Sequence, residues 1–171
     1  GPAYEFTKQA LSKGKSVCTS NKELVAAHGP ELLELAKANK CNYLFEASVG
    51  GGIPIIRPLN YSLTAEKIEA ITGILNGTTN YILSKMENEG ADFDDVLKKA
   101  QEKGYAERNP EADVEGYDAC RKIAILSSLV YGKTVRYEDI YTEGITKISK
   151  EDFKYAKAMK RSIKLLAMSK D

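Results

Sequence analysis

The sequence predicts an α/β fold in two parts. About the first fifty residues alternate helix, strand, helix and strand, which is the order of a parallel α/β sheet. From Gly52 onward this alternation stops, and several helices lie between isolated strands, as in an α+β domain. We therefore expect a remnant of a doubly wound domain over residues 1–51 and an α+β domain over residues 52–171. The length of 171 residues is enough for one domain, at most one and a half.

Composition and charge exclude several classes of protein. Lys and Arg number 25 and Asp and Glu number 24, so the chain lacks the basic excess typical of proteins that bind nucleic acid or anionic membranes. No apolar run reaches the ~18 residues of a membrane span, and no signal peptide is visible. The three cysteines are widely spaced, which favours reduced thiols and a cytoplasmic location over disulfides or a zinc site.

The elements of the first part follow from local signals. A helical pattern runs to Lys13 and ends at Gly14, a typical residue after a helix. A short strand is predicted over 16–19, and Ser20 and Asn21 are placed to cap a helix from Lys22. We expect that helix to break near Gly29 and Pro30 and to resume over 31–39. A second strand is predicted over 43–49.

The second part opens with a loop over 50–54 and short helical pieces over 55–63, which Pro58 keeps short. Strands are predicted over 68–75 and 161–169, the later one without an evident partner. The predicted helices cover 78–89, with Thr78 or Thr79 as cap, and 93–103. A long helix starts at Val114 or Gly116 and runs to Tyr131, and a last helix covers 150 to about 160 and is capped by Ser149. Residues 105–113 are predicted to form an irregular polar loop.

The glycine run Gly50-Gly51-Gly52 follows a predicted strand but lacks the G-x-G-x-x-G spacing, because position 55 is Ile. Two interpretations stay open for this loop. Its glycines allow a turn in which backbones approach closely. Its backbone carbonyls, beside the carboxylate of Glu46, also offer oxygen ligands for a hard cation.

The segment from Tyr105 to Lys122 carries the strongest local signal for chemistry. Asp118 and Lys122 are four residues apart and share one face of a helix whose later residues are apolar almost all round. A surface ion pair is one interpretation. Because a charged pair at the head of a buried helix is costly, a lysine that gives or takes a proton is the other. Lys22 follows a strand directly, so it either faces a ligand crevice or is a solvated lysine.

Four motifs, in order and spread over nearly the whole chain, together resemble the homoserine dehydrogenase family. They are Ser20-Asn21-Lys22, residues 45–56 (FEASVGGGIPII), residues 73–83 (GILNGTTNYIL) and the segment from Gly104 to Lys122. The resemblance implies that residues 1–51 are the C-terminal remnant of a Rossmann-type nucleotide-binding domain. It implies that residues 52–171 form a catalytic, substrate-binding and dimerisation domain with a mixed sheet.

The resemblance also implies roles for individual residues. Lys122 matches a catalytic lysine, and Lys22 matches a lysine implicated in proton transfer. Asn21 and Lys22 match cofactor-binding positions. Asp113 matches a contact to the substrate amino group. The remaining substrate-binding positions are Glu107, Asp118, Tyr105, Gly77 and Thr78. A monovalent cation site, such as a sodium site, is matched by Glu46 and the backbone carbonyls of Val49, Gly51 and Ile53.

The implied function is that of an oxidoreductase of threonine, methionine and isoleucine biosynthesis. It would interconvert L-aspartate 4-semialdehyde and L-homoserine with NADP or NAD and form a homodimer. Nothing before Lys22 resembles the family's glycine-rich phosphate loop, so we expect this chain to lack the main cofactor site and to be inactive alone. The alternatives are a non-catalytic dimerisation module and a fragment of a related dehydrogenase with another substrate.

Overall fold

A computed structural model describes all residues from Gly1 to Asp171 and confirms the α/β class. The elements are α1 (Pro2–Ser12), β1 (Val17–Cys18), α2 (Lys22–Ala38), β2 (Tyr43–Leu44), β3 (Ala70–Gly73), α3 (Gly77–Glu89), α4 (Phe93–Glu102), α5 (Glu111–Val114), α6 (Tyr117–Tyr131), α7 (Lys150–Ala158) and β4 (Ala167–Lys170). A 3₁₀ turn lies at Glu46–Ser48 and a π-helical turn at Pro58–Ser62. None of the helices combines the length and apolar character needed to cross a membrane.

The chain divides into two compact units. The first unit holds residues 1–71, 121–140 and 169–171, and the second holds residues 72–120 and 141–168. Each unit is thus assembled from segments that are distant in sequence. The domain boundary between residues 51 and 52 stays a prediction.

The first unit contains the helix–strand–helix–strand order that the sequence predicts. Strands β1 and β2 are parallel, with Val17 opposite Tyr43 and Cys18 opposite Leu44. Helix α1 packs on α2, and the buried side chains include Leu11 of α1 with Leu24 and Leu32 of α2. Because each strand has only two residues, burial of these helix faces rather than the sheet ladder supplies most of the stabilisation.

The predicted break in the second helix is wrong, because α2 runs without interruption from Lys22 to Ala38 with Pro30 inside it. A residue before proline usually avoids the helical region, since its Cβ meets the proline ring. That residue is Gly29, which has no Cβ. The loss of one backbone hydrogen bond at Pro30 is offset by the buried face of the helix, which includes Val25 and Leu32.

The second predicted strand is also shorter than expected. It ends at Leu44 instead of Val49, and the chain turns at Glu46–Ser48. The Ser48 hydroxyl donates to the Phe45 carbonyl over 2.6 Å, and the Ser48 N–H donates to the same carbonyl over 3.0 Å. A side chain that bonds its own backbone in this way competes with strand pairing.

The second unit is built on a core between α3, α4, α5 and α7. Its buried members are Ile82, Leu83, Met86, Val96, Val114, Ile145 and Phe153. Two predicted helix boundaries are confirmed: Gly90 follows the last residue of α3 with φ of +61°, and Ser149 caps the start of α7, where its side chain forms a capping box with Asp152. Helix α7 ends at Ala158, two residues before the predicted end. The predicted loop after Tyr105 contains one short helix, α5.

Strands β3 and β4 form a second two-stranded sheet. Both are shorter than the predicted strands over 68–75 and 161–169. The sequence shows no evident partner for the later strand, but β4 pairs with β3 in the structure. A contribution of these strands to a dimer stays a prediction.

Candidate active site

Two of the predicted substrate-binding carboxylates converge on one asparagine in the second unit. The Asn76 Nδ2 atom donates to Asp113 Oδ1 over 2.7 Å and to Asp118 Oδ2 over 2.9 Å. Asp118, in the first turn of α6, is 2% exposed, and Asn76 is 6% exposed. Two carboxylates joined through one buried amide form a small site of high negative charge density.

Asn76 also begins helix α3. Its Oδ1 atom accepts the Thr79 N–H over 2.8 Å and the Thr79 hydroxyl over 2.9 Å. The expectation that Thr78 or Thr79 caps this helix is therefore wrong, because the cap is Asn76. The sequence carried a signal for it, since Asn ranks among the best N-cap residues and stands directly before the helical pattern. Sequence reasoning missed Asn76 as a site residue, because nothing local shows that its amide reaches two carboxylates.

Two further predicted substrate positions lie at the start of the same helix, and a third, Tyr105, contacts it from a loop. Gly77 is the first residue of α3, and the Thr78 hydroxyl donates to the Tyr105 carbonyl over 2.9 Å. The Tyr105 ring meets the Tyr81 ring edge-on, with 5.2 Å between centroids. A hydrogen bond and a ring contact therefore hold the loop at Tyr105 against the first turns of α3, next to Asn76.

The side chain of Glu107 is not joined to this cluster by a hydrogen bond. Its side chain is exposed, and its backbone carbonyl accepts a hydrogen bond from Gln101 Nε2 over 3.1 Å. The Asn76 hydrogen bonds therefore connect Asp113 and Asp118 without Glu107.

The two predicted catalytic lysines lie on helices of the first unit. Lys22 is the first residue of α2, directly past the carboxyl end of β1, and Asn21 caps that helix by accepting the Leu24 N–H over 3.0 Å. Lys122 lies on α6 and is half-buried. An ion pair of 3.9 Å joins Glu23 to Arg121, the residues that follow Lys22 and precede Lys122. The helix segments that carry the two lysines are therefore neighbours.

Glu46 serves as a cap for the helical turn that follows the glycine loop. Its Oε1 atom accepts the N–H groups of Ile55 and Ile56 over 2.6 and 2.8 Å, and its Oε2 atom accepts that of Arg57 over 2.7 Å. Burial raises the pKa of Glu46, but the three backbone donors and the Arg57 charge outweigh it. The pKa of this carboxyl therefore lies below its usual value, and the group is ionised at neutral pH.

The glycine loop contains a tight turn in which the Ile53 N–H donates to the Gly50 carbonyl over 3.0 Å. Gly51 has φ of +59°, and a Cβ on Gly50 would lie 2.3 Å from the Ile53 carbonyl oxygen. The backbone hydrogen bonds of this loop are accepted by Phe45, Glu46 and Gly50, and not by the carbonyls predicted to bind a cation. No group of three or more His, Cys, Asp or Glu side chains is placed to hold a metal ion.

A cavity of the first unit lies elsewhere. It measures 480 Å³ and lies between α2 and the later turns of α6, where Val25, Leu33, Phe45 and Leu129 are among its mostly apolar lining residues. None of the predicted site residues lines it. The cavity is therefore not the predicted catalytic centre.

Comparison with known proteins identifies the family. The sequence model of the family described as homoserine dehydrogenase matches residues 54–170. A homoserine dehydrogenase of Synechocystis is 52% identical over 98% of this chain and 39% of its own length, and one of Corynebacterium glutamicum is 48% identical over 96% and 37%. The chain thus spans about 39% of the length of such curated relatives.

Solved structures agree with these sequence relatives. The crystal structure of a homoserine dehydrogenase from Thiobacillus denitrificans has a TM-score of 0.96 at 49% identity, over 99% of this chain and 39% of that one. A hyperthermophilic archaeal homoserine dehydrogenase in complex with NADPH has a TM-score of 0.85 at 34% identity, over 99% of this chain and 50% of that one. This chain belongs to the homoserine dehydrogenase family.

Proposed function

We propose that this chain is the substrate-binding and catalytic region of an NAD(P)-dependent homoserine dehydrogenase. The reaction would interconvert L-aspartate 4-semialdehyde and L-homoserine in threonine, methionine and isoleucine biosynthesis. The observation that carries the proposal is the Asp113–Asn76–Asp118 cluster inside a segment that matches the family. Both the aldehyde and the alcohol carry an α-ammonium group, and two carboxylates held close together suit such a cation.

The substrate would lie against the start of α3. Gly77 and Thr78 stand at the helix N-terminus, where backbone N–H groups and the helix dipole favour a carboxylate such as that of the amino acid. Tyr105 is 58% exposed and is held to this turn through its carbonyl. We assign Asp113 and Asp118 to the ammonium group, and Glu107 to a contact made from the exposed loop.

Lysine side chains would carry out the proton transfer. Reduction of the aldehyde places negative charge on the carbonyl oxygen, which a cationic lysine stabilises and then protonates. Lys122 is assigned this role, with Lys22 as a second lysine close to the reaction. The neighbouring helix positions of Lys22 and Lys122 support this assignment.

The dinucleotide supplies the hydride chemistry when bound. In parallel α/β sheets, nucleotides bind beyond the carboxyl ends of the strands. Asn21 and Lys22 lie at that end of β1, so their position fits contact with NADP or NAD. The archaeal relative bound to NADPH supports the same class of cofactor.

We further propose that the glycine loop holds a monovalent cation such as sodium through the carbonyls of Val49, Gly51 and Ile53. These oxygens accept none of the loop's backbone hydrogen bonds, which supports the proposal. The Glu46 carboxylate already accepts three backbone hydrogen bonds, so its part would be charge rather than direct ligation.

The remaining proposals concern the larger context of the chain. Residues 1–51 would belong to a nucleotide-binding domain and residues 52–171 to a catalytic and dimerisation domain. A cytoplasmic homodimer is proposed. The large exposed apolar side chains beside and on the second sheet, Ile74, Leu166 and Met168, support an interface there.

The proposal is tested by substrate binding, which does not require turnover by these 171 residues alone. Thermal unfolding is followed with millimolar L-homoserine and, separately, with L-serine. A ligand that binds only the folded chain raises its stability by RT ln(1 + [L]/Kd). We expect a rise with homoserine that exceeds the rise with serine, and its loss in the double variant Asp118→Ala, Lys122→Ala.

The double variant Glu151→Ala, Lys154→Ala is the matched control, because it removes an exposed acid–lysine pair of 2.8 Å on α7. It should keep the homoserine effect. Equal effects of homoserine and serine, or no effect of either, would contradict the assignment of the substrate pocket to this chain.

A further inference from the structure

The side chain of Asn76 has one possible orientation. Its Oδ1 atom faces the Thr79 backbone N–H at 2.8 Å, and a backbone N–H can only donate. The amide oxygen must therefore point into helix α3, and the NH₂ group must point away from it. Thr79 is fully buried and its hydroxyl lies 2.9 Å from the same oxygen, so the amide is held at both ends.

Both protons of the Asn76 NH₂ group are used by carboxylates. One carboxylate, Asp113, comes from the short helix α5, and the other, Asp118, comes from the first turn of α6. Their bonded oxygens share one nitrogen, so they lie within about 6 Å of each other, where like charges repel appreciably in a partly buried setting. The amide therefore opposes the tendency of the two carboxylates to move apart.

This spacing suits one cation of the size of a primary ammonium. An ammonium offers three donors and a full positive charge, and a carboxylate can accept several hydrogen bonds. Without the amide, the two aspartates would lose the donor that they share, and binding a ligand would cost more entropy to fix their separation.

We infer that Asn76 is a positioning residue, which holds Asp113 and Asp118 at the separation needed to bind the α-ammonium group of the substrate. This inference rests on the proposed function. It predicts that the loss of the Asn76 amide weakens recognition of the ammonium group and leaves recognition of the rest of the substrate unchanged.

The test variant is Asn76→Ser. Serine caps helices about as well as asparagine, so α3 keeps its cap, but its side chain carries no NH₂ group for the aspartates. Asn76→Asp is a second variant, because it retains size and capping while it replaces the amide donors with an acceptor. The control is Ser149→Ala, which removes the cap of α7 in the same unit without touching the aspartates.

Calorimetry measures the Kd of L-homoserine and of 4-hydroxybutanoate, which is homoserine without its amino group. We expect Asn76→Ser to weaken homoserine binding at least about tenfold, the loss of one charge-assisted interaction, and to leave 4-hydroxybutanoate binding unchanged. Ser149→Ala should leave both Kd values unchanged. An unchanged homoserine Kd in Asn76→Ser, or an equal loss for both ligands, would overturn the inference while the proposed function stands.

A wild-type chain that does not prefer homoserine over 4-hydroxybutanoate would instead contradict the proposed function. The hydrogen bonds of Asn76 are then tested without ligand, by NMR of its side-chain amide protons. Both protons should exchange slowly with solvent, and Asp118→Asn should change their chemical shifts. Unchanged shifts in that variant would overturn the positioning role.

Discussion

The carboxylate of Glu46 holds the glycine loop to the helical turn that follows it, and its removal has a calculable effect. Glu46→Ala takes away the acceptor of three backbone N–H groups, those of Ile55, Ile56 and Arg57. Hydrogen bonds to a charged group are worth about 1.5–3 kcal/mol each when buried, and less here because Glu46 is partly exposed. At about 1 kcal/mol for each bond, we expect a loss of about 3 kcal/mol.

For a chain of this length, a loss of 1 kcal/mol lowers Tm by about 2–4 °C, so Glu46→Ala should lower Tm by about 6–12 °C. Glu46→Gln keeps one acceptor oxygen but turns an NH₂ group toward the third backbone donor, so about half of that loss is expected. Urea unfolding followed by circular dichroism at pH 7 measures both losses. Glu66→Gln, at an exposed position in the same unit, is the control and should change stability by less than about 0.5 kcal/mol.

The effect has a defined pH dependence. The folded chain lowers the pKa of Glu46 below its unfolded value of about 4.3, so the unfolded state binds the proton more tightly. The stabilisation of the folded chain by ionised Glu46 is therefore fully present above pH ~4.3 and is lost as the pH falls through the folded pKa. The difference in unfolding free energy between wild type and Glu46→Gln should become smaller in acid. A gap that stays constant from pH 7 into acid, or a Glu46→Ala loss below about 0.5 kcal/mol, would refute the capping role.

Two further predictions use backbone geometry and core packing. Gly50→Ala should lower stability by about 1–3 kcal/mol, because its Cβ would lie 2.3 Å from a backbone oxygen. A Cβ at Gly52 would meet nothing within 4 Å, so Gly52→Ala should have a smaller effect. Equal urea midpoints for the two variants would contradict the close approach at Gly50. Leu83→Ala should cost about 2–5 kcal/mol, since Leu83 is fully buried, whereas Leu33→Ala, at a residue that is 37% exposed, should cost less than half as much. Equal losses of unfolding free energy at the two leucines would place Leu83 outside the core.

Local signals in the sequence predicted most helix ends correctly. Ser149 caps α7 as predicted, and Gly90 ends α3 in the left-handed conformation. The expected break at Pro30 failed, because burial of one helix face and the missing Cβ of Gly29 outweighed the usual effect of proline. Propensity is a weak guide wherever tertiary packing opposes it.

Some functional residues could likewise be predicted from the sequence, and others only from the tertiary structure. The sequence alone determined the family, because residues such as Asp118 and Lys122 lie in motifs whose order and spacing resemble those of the family. The family model matches residues 54–170, which include both. Only the tertiary structure decided that Asn76 joins carboxylates 37 and 42 residues further on, and that Glu46 caps donors nine to eleven residues later. Caps and helix periods depend on bonds within about four residues, which a sequence displays directly. Contacts between distant residues depend on how the elements pack, and no local pattern records that.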